Sequence, residues 1–143
     1  MYNIIIRKAI DDDLDQIKNL ADQERRSLGF ITRATILQSI RQNETIVAEK
    51  DNCVIGFQMY HHRKDQQTTL YKKTVDKEYR RLGVGRSLVD FVVSEAKEIR
   101  QTRVKLKCPE DNDSNNFHQA IGFKIIGIEE KPKRNLNIYE MII

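Results

Sequence analysis

Long apolar runs are missing from this 143-residue chain, and nothing approaches the ~20 consecutive apolar residues of a membrane-spanning helix. Cysteine is scarce. Cys53 and Cys108 cannot build a disulfide framework or a four-cysteine metal site. Six glycines and two prolines are too few for a disordered or fibrous chain. The start, Met1-Tyr2-Asn3-Ile4-Ile5-Ile6-Arg7, lacks the basic opening and long apolar stretch of a secretory signal. Free thiols without a signal lead to the expectation of a cytoplasmic protein. No repeat, low-complexity segment or linker is visible, so one domain over residues 1–143 is expected. The excess of one charge is also small: 25 Lys and Arg against 21 Asp and Glu give +4. That suits an anionic ligand without requiring nucleic acid.

What is present reads as alternating elements. Ile4-Ile5-Ile6 is a short apolar run expected to be a strand. Asp11-Asp12-Asp13 offers an N-cap and negative charge to a helix over about 12–25, carrying Leu14, Ile17, Leu20 and Ala21. Ser27-Leu28-Gly29-Phe30 breaks it, and Thr32 caps a second helix with Ile36, Leu37 and Ile40. Strands over 45–49 and 53–60, joined by Asp51-Asn52, read as a hairpin, and 68–75 is a further strand. After Gly83-Val84-Gly85 a helix places Leu88, Val92, Ala96 and Ile99 on one face. A strand over 104–107 ends at Pro109. A short helix over 114–121 stops at Gly122, and strands over 123–128 and 137–143 close the chain. The expected class is α/β (α+β): a mixed central sheet of about six to seven strands flanked by about four helices.

The segment Arg80-Arg81-Leu82-Gly83-Val84-Gly85-Arg86-Ser87 joins a strand to a helix. Glycine lets backbone approach a ligand and adopt positive φ. Unpaired N–H groups and the dipole at the helix start favour an anion. Three arginines and Lys77 add positive charge, so the segment is a candidate phosphate cradle. It is not a dinucleotide fingerprint, because Leu88 stands where the third glycine belongs, and it has no P-loop Gly-Lys-Ser/Thr. On glycine spacing alone, a tight turn with solvated arginines stays open.

Arg80-x-x-Gly83-x-Gly85 resembles the Arg/Gln-x-x-Gly-x-Gly/Ala signature of the GNAT N-acetyltransferase superfamily, with Val75-Asp76-Lys77-Glu78-Tyr79 similar to its lead-in. Downstream, Ser114-Asn115-Asn116-Phe117-His118-Gln119-Ala120-Ile121-Gly122-Phe123 is similar to that family's Ala-x-x-Phe-Tyr-x-x-x-Gly-Phe segment. The resemblance covers nearly the whole chain. It implies the GNAT fold, acetyl-CoA as acyl donor, no metal, and direct transfer to an amine acceptor without an acyl-enzyme. It puts the pyrophosphate on the N–H groups of Leu82, Gly83, Val84, Gly85, Arg86 and Ser87, beside Arg80 and Arg81. The pantetheine arm would lie along the strand ending at Val75, where two parallel strands splay. Asn115 and Phe117 are assigned to the cofactor as well. Arg25, Arg26 and Arg33 fall on the family's substrate-side wall.

Two departures stand out. His118 replaces the tyrosine that protonates the leaving thiolate in the family. An imidazole can still donate an N–H, with a shorter reach, or it can merely fill the space. The strand over 68–75 carries no carboxylate, so the general base is open among Glu110, His61, His62, Glu24 and a water chain. Lys72 and Lys73 either greet an acidic acceptor or form a solvated pair. His61 and His62 are adjacent and, on a strand, point to opposite faces, so they cannot share a metal. Cys108 and His118 lack an orienting third group for nucleophilic catalysis. Met59, Tyr60 and Tyr71 suit core or cleft walls.

The expected function is therefore acetyl-CoA-dependent N-acetylation of an unidentified small-molecule or peptide amine by a monomer or homodimer, with no nucleic-acid or membrane partner. The alternative is an acyl-CoA-binding module that has lost catalysis. A helix-turn-helix nucleic-acid binder is disfavoured, since aromatic and basic residues do not interleave and the charge is modest.

Overall fold

The computed structural model describes residues 3–143. Met1 and Tyr2, where the signal reading begins, lie outside them. The elements are β1 (Ile5–Lys8), a 3-10 turn (Asp11–Asp13), α1 (Leu14–Gln23), α2 (Arg25–Leu28), α3 (Arg33–Arg41), β2 (Thr45–Lys50), β3 (Cys53–His62) and β4 (Gln67–Val75). A second 3-10 turn (Lys77–Tyr79) follows, then α4 (Val84–Glu98), β5 (Arg103–Pro109), α5 (Ser114–Ala120), β6 (Lys124–Glu129) and β7 (Leu136–Ile142). The seven strands run in the order β1-β2-β3-β4-β5-β7-β6. The β4–β5 pair is parallel, while β1–β2, β2–β3, β5–β7 and β6–β7 are antiparallel. This is the mixed sheet expected from the sequence, with five α-helices rather than about four. No helix among the described residues is long and apolar enough to cross a membrane.

The chain forms two compact units, Met1–Tyr60 with Lys72–Val92, and His61–Tyr71 with Val93–Ile143. In the first, α1 buries Ile17, Leu20 and Ala21, and α3 buries Ile36 and Ile40, together with Val47, Phe57 and Met59 of the adjoining strands. The helical spacing of apolar residues thus becomes one core. The Thr32 hydroxyl accepts from the Thr35 N–H at 3.1 Å, the cap read from the sequence. Asp51 and Asn52 both take positive φ (50° and 64°), as a two-residue hairpin turn demands.

The aspartate run behaves differently from a simple N-cap. It forms its own 3-10 turn, and the Asp13 carboxylate reaches back to accept from the Ile10 N–H at 2.8 Å. Arg7 binds the same carboxylate through both terminal nitrogens, at 2.8 and 2.9 Å, and also donates to Glu49 at 3.0 Å. Burial pushes the Asp13 carboxyl up, but the Arg7 bonds, the Ile10 N–H and the Arg7 charge outweigh that and hold it below its ordinary value. A carboxyl depressed by folding contributes stability that is complete above the usual carboxylate range and is lost as pH falls toward its lowered value. Asp13→Ala is expected to cost about 2–3 kcal/mol at neutral pH. In urea unfolding, the gap between variant and parent should shrink as the solution is acidified. A gap that stays constant into the acid range would remove Asp13 from the account.

The helix expected over 12–25 is interrupted at Glu24 (φ −110°, ψ 30°), which separates α1 from α2. The Glu24 side chain is held at this break by an ion pair with Arg80.

In the second unit, Val104, Leu106, Cys108, Phe123 and Tyr139 are buried. Here one expectation fails. Periodicity puts Ile99 on the buried face of the long helix, but it lies just past the end of α4 and is 50% exposed. The helix ends first, in a Schellman motif: Gln101 N–H bonds to Ala96 C=O at 2.9 Å and Arg100 N–H to Lys97 C=O at 3.0 Å, with Arg100 at φ 66°. Arginine holds the position where glycine is usual, so composition carries no stop signal. The same motif closes α5, where Phe123 N–H bonds to His118 C=O at 3.0 Å and Gly122 N–H to Gln119 C=O at 3.2 Å. Gly122, at φ 110°, is the stop read from the sequence.

Candidate functional site

The cradle segment lies wholly in the first unit. β4 ends at Val75, and the Asp76 N–H donates to Ile55 C=O at 2.7 Å. The Asp76 carboxylate then caps the 3-10 turn by accepting from Glu78 N–H at 3.0 Å. Arg81 (φ 65°) and Gly83 (φ 81°) are both left-handed and bracket exposed Leu82. α4 starts at Val84, and its first ladder bond is Ser87 N–H to Gly83 C=O at 3.0 Å. The N–H groups of Val84, Gly85 and Arg86 therefore precede the ladder and have no acceptor within the helix. At the start of this 15-residue helix, N–H groups without acceptors in the helix meet the positive end of its dipole. That donor set fits a phosphate.

A side chain built on Gly83 would meet nothing within 4 Å, so glycine is needed there for its φ and not for space. Gly83→Ala is therefore expected to cost about 1–2 kcal/mol through strain alone. Chemical denaturation would show it, and unchanged stability would contradict this reading of the loop. Gly85, by contrast, already sits inside α4.

The arginines of the signature are not equivalent. Arg80 Nε donates to Val75 C=O at 3.0 Å, and its terminal nitrogen pairs with Glu24 at 2.5 Å. Arg86 lies 3.9 Å from Asp90, one helical turn on, and Arg81 is exposed. Glu24, one of the candidate bases, is thus bound to Arg80 at the junction of α1 and α2, where the helix breaks. On the segment expected to line the substrate side, Arg25 and Lys18 flank the exposed Phe30 ring at 4.6 and 4.3 Å, and Arg33 pairs with Asp15 at 2.6 Å. In β4, Tyr71 and Lys72 are exposed and Lys73 is half-buried, whereas Met59 and Tyr60 of β3 are core.

The second sequence segment lies in the other unit. His118 is buried on α5 (8% exposed), with the rings of Phe117, Tyr139 and Phe123 at 5.5, 5.7 and 6.1 Å. Asn115 is committed to the protein itself. Its amide nitrogen donates to Asn112 C=O at 2.7 Å and Pro109 C=O at 2.8 Å, and its oxygen accepts from Tyr139 Oη at 2.8 Å and Asn137 at 3.0 Å. Gln119 donates to Tyr139 Oη at 3.1 Å. These bonds fasten α5 to β7 and to the loop after β5, and so fix where His118 sits. Tyr139, Asn137 and Gln119 do not stand out in the sequence, because Tyr139 and Asn137 lie more than 20 residues from Asn115.

The remaining candidate bases are dispersed. His61, in β3, and Glu110, just after β5, are both exposed. His62 is half-buried, with Nδ1 2.7 Å from Thr68 Oγ1 and Nε2 3.6 Å from Glu95. Cys108 is buried, and its thiol lies 3.6 Å from Pro109 C=O. Among the described residues no three His, Cys, Asp or Glu side chains are grouped to hold a metal. The ladder between β4 and β5 covers Gln67–Thr69 and Arg103–Lys105, and β4 itself continues to Val75.

Comparison with known proteins agrees with this fold. The chain is 24% identical over 128 residues to the 5-NmdU N-acetyltransferase of Pseudomonas phage PaMx11, covering 87% of this chain and 89% of that protein. In structure it is similar to Ard1 from Thermoplasma volcanium, with a TM-score of 0.88 and 24% identity over 98% of this chain and 97% of that one. It is also similar to the PaiA N-acetyltransferase from Thermoplasma acidophilum in complex with coenzyme A, with a TM-score of 0.85 and 18% identity over 99% of both chains. These structural likenesses establish the fold. A family model described as "Acetyltransferase (GNAT) family" matches residues 12–123, most of the chain, so this protein belongs to the GNAT acetyltransferase family.

Proposed function

We propose that the protein binds acetyl-CoA and transfers its acetyl group directly to a primary amine of a small-molecule or peptide acceptor. The observation that carries this is the cradle: two left-handed residues, Arg81 and Gly83, set immediately before the N-terminus of α4 in a chain of this family. The backbone N–H groups of residues 82–87 would hold the pyrophosphate, with Arg81 adding charge. Backbone of β4 toward Val75, beyond the ladder with β5, would bind the pantetheine arm. Bound acetyl-CoA supplies an acetyl group activated as a thioester.

The chain's own part in the reaction is proton handling and placement. His118 would donate its imidazole N–H to the departing thiolate, the role a phenol fills in relatives. Its ring is held by aromatic neighbours, and its helix by the Asn115–Tyr139 bonds. Asn115 supports the site through that clamp, and Phe117 borders His118. The coenzyme A in the T. acidophilum structure and the activity named for the phage protein point the same way. Action in the cytoplasm is part of this proposal.

A second reading, an acyl-CoA-binding module without turnover, draws on two observations. β4 has no carboxylate, and Glu24 is engaged by Arg80. An acceptor screen with acetyl-CoA separates the two. Polyamines, amino acids, aminoglycosides and peptide N-termini are offered, and free thiol is read. The enzyme releases thiol with at least one class, and the module binds acetyl-CoA but releases none.

A further inference from the structure

We infer that Arg80 is a positioning residue that holds the cradle through Glu24, and not a ligand of the phosphate. This rests on the cofactor-binding reading of the loop. The side chain has two fixed engagements that use different nitrogens: Nε on Val75 C=O at 3.0 Å and a terminal nitrogen on Glu24 at 2.5 Å. It thereby ties the end of β4 and the junction of α1 and α2 to the residue just before the left-handed turn. Upstream, the segment is pinned by Asp76 on Ile55 and on Glu78, and by Lys50 lying 5.7 Å over the Tyr79 ring. Arg80 is the last of these anchors before Arg81, Leu82 and Gly83, which are all exposed.

The acidic partner is well placed for this. Glu24 has only 20% of its side chain exposed, against 44% for Arg80. It also stands at the one non-helical position between α1 and α2, where Ser27 and Leu28 N–H groups bond to its carbonyl at 3.0 and 2.9 Å. The guanidinium is therefore already paired with a carboxylate, while a bound phosphate is offered the backbone N–H groups further on. A planar fork can make both bonds at once, which a lysine ammonium cannot do with the same geometry. Position 80 of the signature thus serves the shape of the loop, and Glu24 belongs to the cofactor site although it lies 56 residues away in sequence.

The test is a double-mutant cycle on coenzyme A affinity, measured by calorimetry at a temperature where circular dichroism shows every variant folded. Glu24→Ala and Arg80→Ala should each weaken binding by about three- to tenfold, the range of one partly exposed ion pair with its hydrogen bonds. The double variant should bind no more weakly than Arg80→Ala. Arg80→Lys should lose nearly as much as Arg80→Ala, and Glu24→Gln, which keeps an acceptor, should recover part of the loss. If Glu24→Ala leaves affinity unchanged or tightens it, if Arg80→Lys retains the parent's affinity, or if the two losses add, Arg80 is not held through Glu24 and the inference is overturned. Loss of turnover in Glu24→Ala at unchanged affinity would likewise overturn it and make Glu24 the base. Gly85→Glu serves as the control, since normal binding by that variant would overturn the cradle reading itself, whatever the cycle shows.

Discussion

His118→Ala is expected to lower turnover by about 10²–10⁴-fold at saturating substrate while leaving coenzyme A affinity nearly intact. General acid catalysis by a positioned side chain is typically worth that factor. As a proton donor the imidazole acts in its cationic form and is left neutral after transfer, whereas a neutral ring can only hydrogen-bond to the thiolate. The surroundings of His118 sharpen the expectation. Phe117, Phe123 and Tyr139 surround the ring, so the donor is held by packing and its loss is not made good by a mobile neighbour. His118→Tyr restores the residue usual in relatives, but three rings already crowd the position. Added volume in a packed site costs ~1–3 kcal/mol, so the alanine variant is the cleaner measurement. Steady-state kinetics on a folded His118→Ala protein decide it, and turnover equal to the parent's would leave thiolate protonation to solvent or another donor.

Gly85→Glu should reduce acetyl-CoA affinity by more than tenfold, which corresponds to ~1.4 kcal/mol. The structure makes this a clean variant. Gly85 has helical conformation in the first turn of α4 and is not among the positive-φ glycines, so no backbone strain attends a side chain there. Glutamate is a better helix former than glycine, and its charge suits a helix N-terminus. Stability should therefore hold or rise while binding falls, because the carboxylate competes for the N–H groups and repels the pyrophosphate. Binding that survives in this variant would mean that the cofactor lies elsewhere.

These two residues also show which parts of the site can be read from the chain alone. The loop, the Thr32 cap, the Asp51-Asn52 turn and the Gly122 stop are local devices, each encoded within a few residues of where it acts. They appear in the structure at the expected positions. What escapes the sequence depends on partners brought together by the fold. Arg80 finds Glu24, Arg7 finds Asp13 and Glu49, and Asn115 finds Tyr139 and Asn137. No spacing rule announces such pairs. Ile99 illustrates the opposite error, because the apolar periodicity runs one residue past the end of α4, just before the stop made by Arg100.

The distinction matters for function. A signature arginine beside two glycines invites a role on the phosphate, yet its neighbours in space give it a carboxylate and a carbonyl. On our proposal, the charge offered to the cofactor's phosphates is then mainly the backbone's own, from the start of α4, together with Arg81.

The central claim, that this chain moves an acetyl group from acetyl-CoA to an amine, is tested most directly by following both products of one reaction. Free thiol and the N-acetylated acceptor, identified by mass, are measured together for the parent and for Gly85→Glu. The account predicts amine-dependent thiol release by the parent in equal amounts with acetylated product, and little of either from Gly85→Glu. Acetyl-CoA bound by the parent without amine-dependent release, across every acceptor class offered, would contradict it.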